Sequence, residues 1–305
     1  MSELAAQQPS NGGSPTRVIY VMSQPKSGST ILGVTIGNCE GVFYAGELTS
    51  WLLTEGRPVL GGIERTRFWR AVRESVPQAA DLYGPQAFQL LERGQSALRV
   101  GSKEARDALR PRYRSVTEAL YAAIAREAKA HTVVDSSHLP LRARELQQMP
   151  GVELYLLFLT RDVESVVASH TSHVKRHEVA ERQRLFVETN GRMWFTYALA
   201  LSVFRRQPPE RRIAVQHEDF VAEPERVTAR IMEQFELPGP LPDFAHLRTG
   251  LPLVANQLTR EPEVALAARP AARHRSSTAM RLMQGPWQRT VEHLEPSAKA
   301  SAGGS

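Results

Sequence analysis

The sequence predicts an α/β protein, a parallel β-sheet flanked by helices, with a helical insertion. Three observations predict it. Four short apolar runs, Val18–Met22, Thr132–Val134, Leu154–Thr160 and Ile213–Val215, are spaced along the chain and read as strands buried on both faces. Segments with helical periodicity separate them, the alternation expected of a parallel sheet. Each run stops at a polar or charged residue (Ser23, Asp135, Arg161 and His217). Ligands of such sheets sit beyond the carboxyl ends of the strands, so "QPKSGST", "DSSH", "TRD" and "QHED" are expected there.

The elements follow in order. Residues 1–15 are polar and rich in Gly, Ser and Pro, and read as a disordered tail, as does "SAGGS" at 301–305. Residues 16–300 read as a single domain, with 56–130 as a helical insert or lid rich in Arg and Glu. Ser115-Val-Thr-Glu118 has the pattern of a capping box and is expected to open a helix continued by Leu120 and Ile124. The 305 residues carry a net charge of +6, with 42% apolar and 23% charged residues, an ordinary globular composition that suits an anionic ligand. The basic residues are scattered, which argues against nucleic acid. One cysteine, Cys39, excludes an internal disulfide framework and suits a reducing compartment. With no secretory signal and no membrane-spanning apolar run, the expectation is a cytoplasmic protein.

The first loop carries the most chemistry. In "RVIYVMSQPKSGSTILGV" a buried strand leads through Gly28 into an amphipathic stretch. Unpaired amides and the dipole at a helix start attract an anion, and Gly lets the backbone approach it. Ser27, Ser29 and Thr30 add hydroxyl donors and Lys26 a point charge. The alternative is a strand–turn–helix corner whose serines only cap the helix. The lysine precedes the glycine, so the loop is not G-x-x-x-x-G-K-[ST], and a nucleotide-dependent P-loop kinase is disfavoured.

Strand–P-K-S-G-[ST]-[ST]–helix resembles the 5′-phosphosulfate loop of sulfotransferases that use 3′-phosphoadenosine-5′-phosphosulfate (PAPS). "LYLLFLTRDVESVVASH" resembles the second element of that family, an arginine at a strand end with a serine eight residues on: Arg161 and Ser169. The resemblance covers most of residues 17–290 and implies a P-loop-like sheet, with PAPS as co-substrate and no metal. It implies phosphosulfate contacts from Lys26, Ser27, Gly28, Ser29 and Thr30, and 3′-phosphate contacts from Arg161 and Ser169. "RHRSSTAMRLMQGPWQRT" is similar to a late cofactor-covering loop, which makes Arg281 a second 3′-phosphate contact. Val163 stands where many members have proline, and Ile31 where cytosolic animal enzymes have the tryptophan that helps hold adenine.

On this resemblance Lys26 serves the leaving group, and two residues compete for the role of base. Glu47, in "FYAGELTSW", matches the Gly-Glu of tyrosylprotein, heparan-type and many bacterial members. His138, in "VVDSSHLP", resembles the K-T-H-L-P of the cytosolic small-molecule enzymes, with Ser136 in place of lysine. Asp135 reads as a structural acceptor. His170, His173 and His177 share a helix face at metal-ligand spacing, but a basic or solvated side is the expected reading. The partner implied is a hydroxyl-bearing acceptor (small molecule, carbohydrate, lipid or tyrosine). The contrasting class is a non-catalytic scaffold with a degenerate site.

Overall fold

A computed structural model describes residues 14–59, 61–93, 103–162, 166, 179–254 and 256–268, with side chains from 179 to 190, and at 192 and 193, left out of the description. Five strands form one parallel sheet: β1 (Thr16–Ser23), β2 (Val42–Gly46), β3 (Thr132–His138), β4 (Val152–Thr160) and β5 (Arg212–Gln216), in the order β2-β3-β1-β4-β5. All four predicted runs lie in strands. The edge strand β2 was not predicted: its five residues end in Ala45-Gly46, and that sequence carries no alternation to mark it. Its pairing with β3, Phe43 opposite Val133, places it in the sheet.

Strand β1 is central because both its faces are apolar. Val18, Tyr20 and Met22 enter one core, and Ile19 and Val21 the other. The first core is closed by α2 (Ile63–Glu74), α3 (Pro85–Ala87), α4 (Lys103–Ala128), α5 (Pro140–Leu146) and the end of α6 (Val179–Arg206). The second is closed by α1 (Ser29–Gly37), α7 (His217–Ala222) and α8 (Pro224–Gln234). Residues 56–130 are largely helical where described, and Trp69, Tyr113, Leu120 and Ile124 sit in the same core as the sheet.

The capping-box expectation is corrected. Helix α4 starts at Lys103 and runs through Pro111, so Ser115 lies mid-helix and caps nothing. Tertiary packing outweighs the proline, and the Glu118 carboxylate instead accepts the Gly151 amide at 3.0 Å.

Between α4, α5 and β3 lies a buried ionic knot. The Arg142 guanidinium donates to Asp135 at 3.1 Å and to Glu92 at 2.6 Å, and all three side chains are at most 3% exposed. The Tyr121 hydroxyl donates to Asp135 at 2.5 Å and the Tyr113 hydroxyl to Glu92 at 2.6 Å. Burial, reinforced by these carboxylates, holds both phenols well above their ordinary range, so they remain donors. One cation thus serves two buried carboxylates, a geometry whose disruption is expensive. Arg142→Met leaves Asp135 and Glu92 unneutralised, and urea unfolding is expected to register a loss of about 3–5 kcal/mol.

Candidate active site

The outgoing connection of β1 runs toward β2 and that of β4 toward β5, on opposite sides of the sheet. The crevice between the ends of β1 and β4 is therefore the topological switch point, where ligands of open α/β sheets bind. Residues 24–28 occupy it. Lys26 and Gly28 both take left-handed backbone, with φ of 69° and 88°, and the Ser27 amide closes a turn on the Gln24 carbonyl at 3.2 Å. Gly28 then precedes α1 with no side-chain cap, and the first helical amide to bond back is that of Leu32, on the Gly28 carbonyl at 3.2 Å. The amides of residues 29–31 thus point out of the helix end, with the positive end of its dipole.

Arg161, at the end of β4, reaches across the crevice and donates to the Lys26 carbonyl. His217, first residue after β5, roofs the loop: a Cβ at position 28 would stand 2.4 Å from its Nδ1. Glycine is therefore required there twice over, by backbone angle and by space. Gln24 Nε2, Ser27 Oγ, Arg161 Nε and His217 Nδ1 are all buried without a hydrogen-bond partner. Each such group costs about 1–3 kcal/mol. Four around one loop could be satisfied together by a polar ligand, and for an anion Ser27, Gln24 and Arg161 are donors of the right kind.

The two candidate bases are brought together. The register of β2 against β3 shifts between Tyr44 and Gly46, and Gly46 adopts φ 79° where a Cβ would meet Pro252 at 2.8 Å. The chain turns there and aims Glu47 at His138, whose own φ of 68° swings its ring off the end of β3. His138 Nε2 is 3.3 Å from Glu47 Oε1, and its Nδ1 is 2.8 Å from Ser23 Oγ. Glu47 is the more open, its side chain 37% exposed against 14% for His138. Asp135 holds this corner, accepting the amides of Leu48 at 3.4 Å and Ser137 at 2.9 Å, while the Thr49 amide donates to Ser137 Oγ at 2.9 Å. Ser136 is buried against the Tyr44 hydroxyl at 3.0 Å.

Lys26 is exposed at the loop's outer turn, Ser29 is buried in the first turn of α1, and Thr30 Oγ1 accepts from Asn256 at 2.6 Å. Ser169, Arg281 and the His170, His173 and His177 group lie outside the described residues. Among the described residues no cluster of three His, Cys, Asp or Glu side chains is placed to hold a metal, and no helix is long and apolar enough to cross a membrane. Sequence reasoning missed Ser23, Gln24, His217 and Asn256. His217 was legible only as the end of a strand, and Asn256 arrives from 226 positions away.

Burial, helped by the Arg161 guanidinium, lowers His217 from its ordinary 6.5 to about 4. Between those values the unfolded chain binds a proton that the folded chain refuses, so stability falls as pH drops from 6.5 toward 4, by up to about 3 kcal/mol for this group. His217→Phe keeps a ring over Gly28 and removes the titration. Urea midpoints measured across that window are expected to fall less steeply in the variant.

Comparison with known proteins identifies the family and the fold. A model of the sulfotransferase family matches residues 18–243. Among solved structures, a sulfotransferase domain from the curacin biosynthetic pathway matches with a TM-score of 0.50 at 14% identity, covering 90% of this chain and 99% of that one. A sulfotransferase of Mycobacterium avium matches with a TM-score of 0.48 at 13% identity, covering 91% and 77%. One from Mycobacterium tuberculosis H37Rv gives 0.44 at 18% identity, covering 74% and 68%. A search of curated proteins returns no match. With more than half of its length matched by the family model and its first loop, sheet order and strand ends arranged as described, the chain belongs to the sulfotransferase family.

Proposed function

We propose that the protein transfers the sulfuryl group of PAPS to a hydroxyl of an acceptor, which can be a small molecule, carbohydrate, lipid or tyrosine. The observation that carries the reading is the gathering of buried, unpartnered polar groups around the loop at 24–28, beside the outward-facing amides of α1. Lys26, Ser27, Gly28, Ser29 and Thr30 would hold the 5′-phosphosulfate. Arg161 would hold the 3′-phosphate, together with Ser169 and Arg281, whose roles rest on sequence alone.

In the transfer, a bond forms from the acceptor oxygen to sulfur while the bond from sulfur to the 5′-phosphate oxygen breaks. Charge grows on that leaving oxygen, where Lys26 and the amides of α1 would stabilise it. The acceptor proton goes to Glu47. Both ring nitrogens of His138 already face partners, whereas Glu47 presents a more exposed carboxylate at the same corner. His138 then serves as the partner that orients Glu47.

Calorimetric titration with 3′,5′-ADP in EDTA, beside ATP, tests the donor. Micromolar binding of 3′,5′-ADP and none of ATP is expected. Binding of ATP alone, and only once Mg²⁺ is restored, would overturn the reading in favour of a kinase, and binding of neither would leave a scaffold. Glu47→Gln is expected to reduce turnover by about 10²–10⁴-fold while 3′,5′-ADP affinity stays within about twofold. Lys26→Ala should lower both turnover and affinity.

A further inference from the structure

We propose that Ser23 is a positioning residue for the transfer, acting through His138 on Glu47. The proposal rests on Glu47 being the base. Ser23 is the last residue of β1 and is buried, 4% exposed. Its hydroxyl lies 2.8 Å from His138 Nδ1, and on the opposite edge of the ring Nε2 lies 3.3 Å from Glu47 Oε1.

Hydrogen-bond capacity decides the direction of the chain. An ionised carboxylate only accepts, so the nitrogen facing Glu47 must carry the proton. Neutral His138 is then the Nε2–H tautomer, whose Nδ1 is an acceptor, and Ser23 is the donor that satisfies it. Without that hydroxyl a half-buried acceptor loses its partner and the ring loses one of its two anchors. The His138 backbone is paired with Met22 of β1, but its left-handed φ turns the ring away from the ladder, so strand pairing fixes the backbone and not the direction of the imidazole. Ser23 belongs to the rigid central strand, paired residue for residue with β4, its own partner being Leu159. It refers the position of the base to the strand that also delivers the phosphate loop, three residues before Lys26. Loop and base are thereby set by one element.

The experiment is a double-mutant cycle with a nitrogen NMR measurement of His138. Ser23→Ala should lower kcat about tenfold, the worth of one hydrogen bond, with 3′,5′-ADP affinity within about twofold of the parent. Ser23→Thr, which keeps the hydroxyl, should restore most of it. In a His138→Ala background the Ser23→Ala change should cost nothing further, because the residue acts only through the ring. Additive effects, a loss of nucleotide affinity or an unchanged kcat would each overturn the proposal. So would a His138 signal from the Nδ1–H tautomer in the parent protein at neutral pH. That last readout needs no turnover, so it judges Ser23 even if the chain proves not to transfer sulfate.

Discussion

One guanidinium organises the side of the molecule that holds Glu47 and His138. Arg142 on α5 neutralises Asp135 in the middle of β3 and Glu92 in the helical segment after α3, with all three side chains at most 3% exposed. Two buried carboxylates need that cation, and it needs both, since neither alone would match its donors. The consequence is positional. Asp135 also receives the amides of Leu48 and Ser137, and Glu92 receives the Thr49 hydroxyl. The residues flanking Glu47 and His138, at 48–49 and at 137, are therefore pinned to the same ionic knot.

At the loop after β1 the constraint is geometric. A loop that curls through two left-handed residues, Lys26 and Gly28, must end against a helix start and beneath His217. The neutral state that burial imposes on His217 keeps a ring with an open nitrogen beside Arg161 without adding a second cation to compete with it. The guanidinium can then spend its charge on a ligand while one arm steadies the Lys26 carbonyl.

The two halves meet through β1. Its central place in the sheet follows from two apolar faces, and its last residue touches His138 while the next five form the loop at 24–28. A transfer reaction needs donor and base held at a fixed separation, because small errors in alignment cost large factors in rate. A strand buried on both sides is the stiffest reference available for that purpose.

The sequence by itself determined the fold class, the four apolar strands and the strand–loop–helix turn at 24–28, because each is written locally: a run of buried residues, a glycine between small hydroxyl residues, a helix start. It also named Glu47 and His138 as rivals. Only the tertiary structure decided that they are neighbours, since they lie 91 positions apart and are joined by strand pairing that no local pattern records. The same holds for β2, whose short sequence shows no period and becomes a strand only beside β3. Ser115 shows the converse, a local cap signal overruled because the helix gains more by continuing through Pro111 into the core than by starting at the serine. His217 and Ser23 were legible only as strand ends, for one physical reason. Their roles come from what packs against them, and side-chain contacts across a sheet depend on topology, which residue order alone does not state.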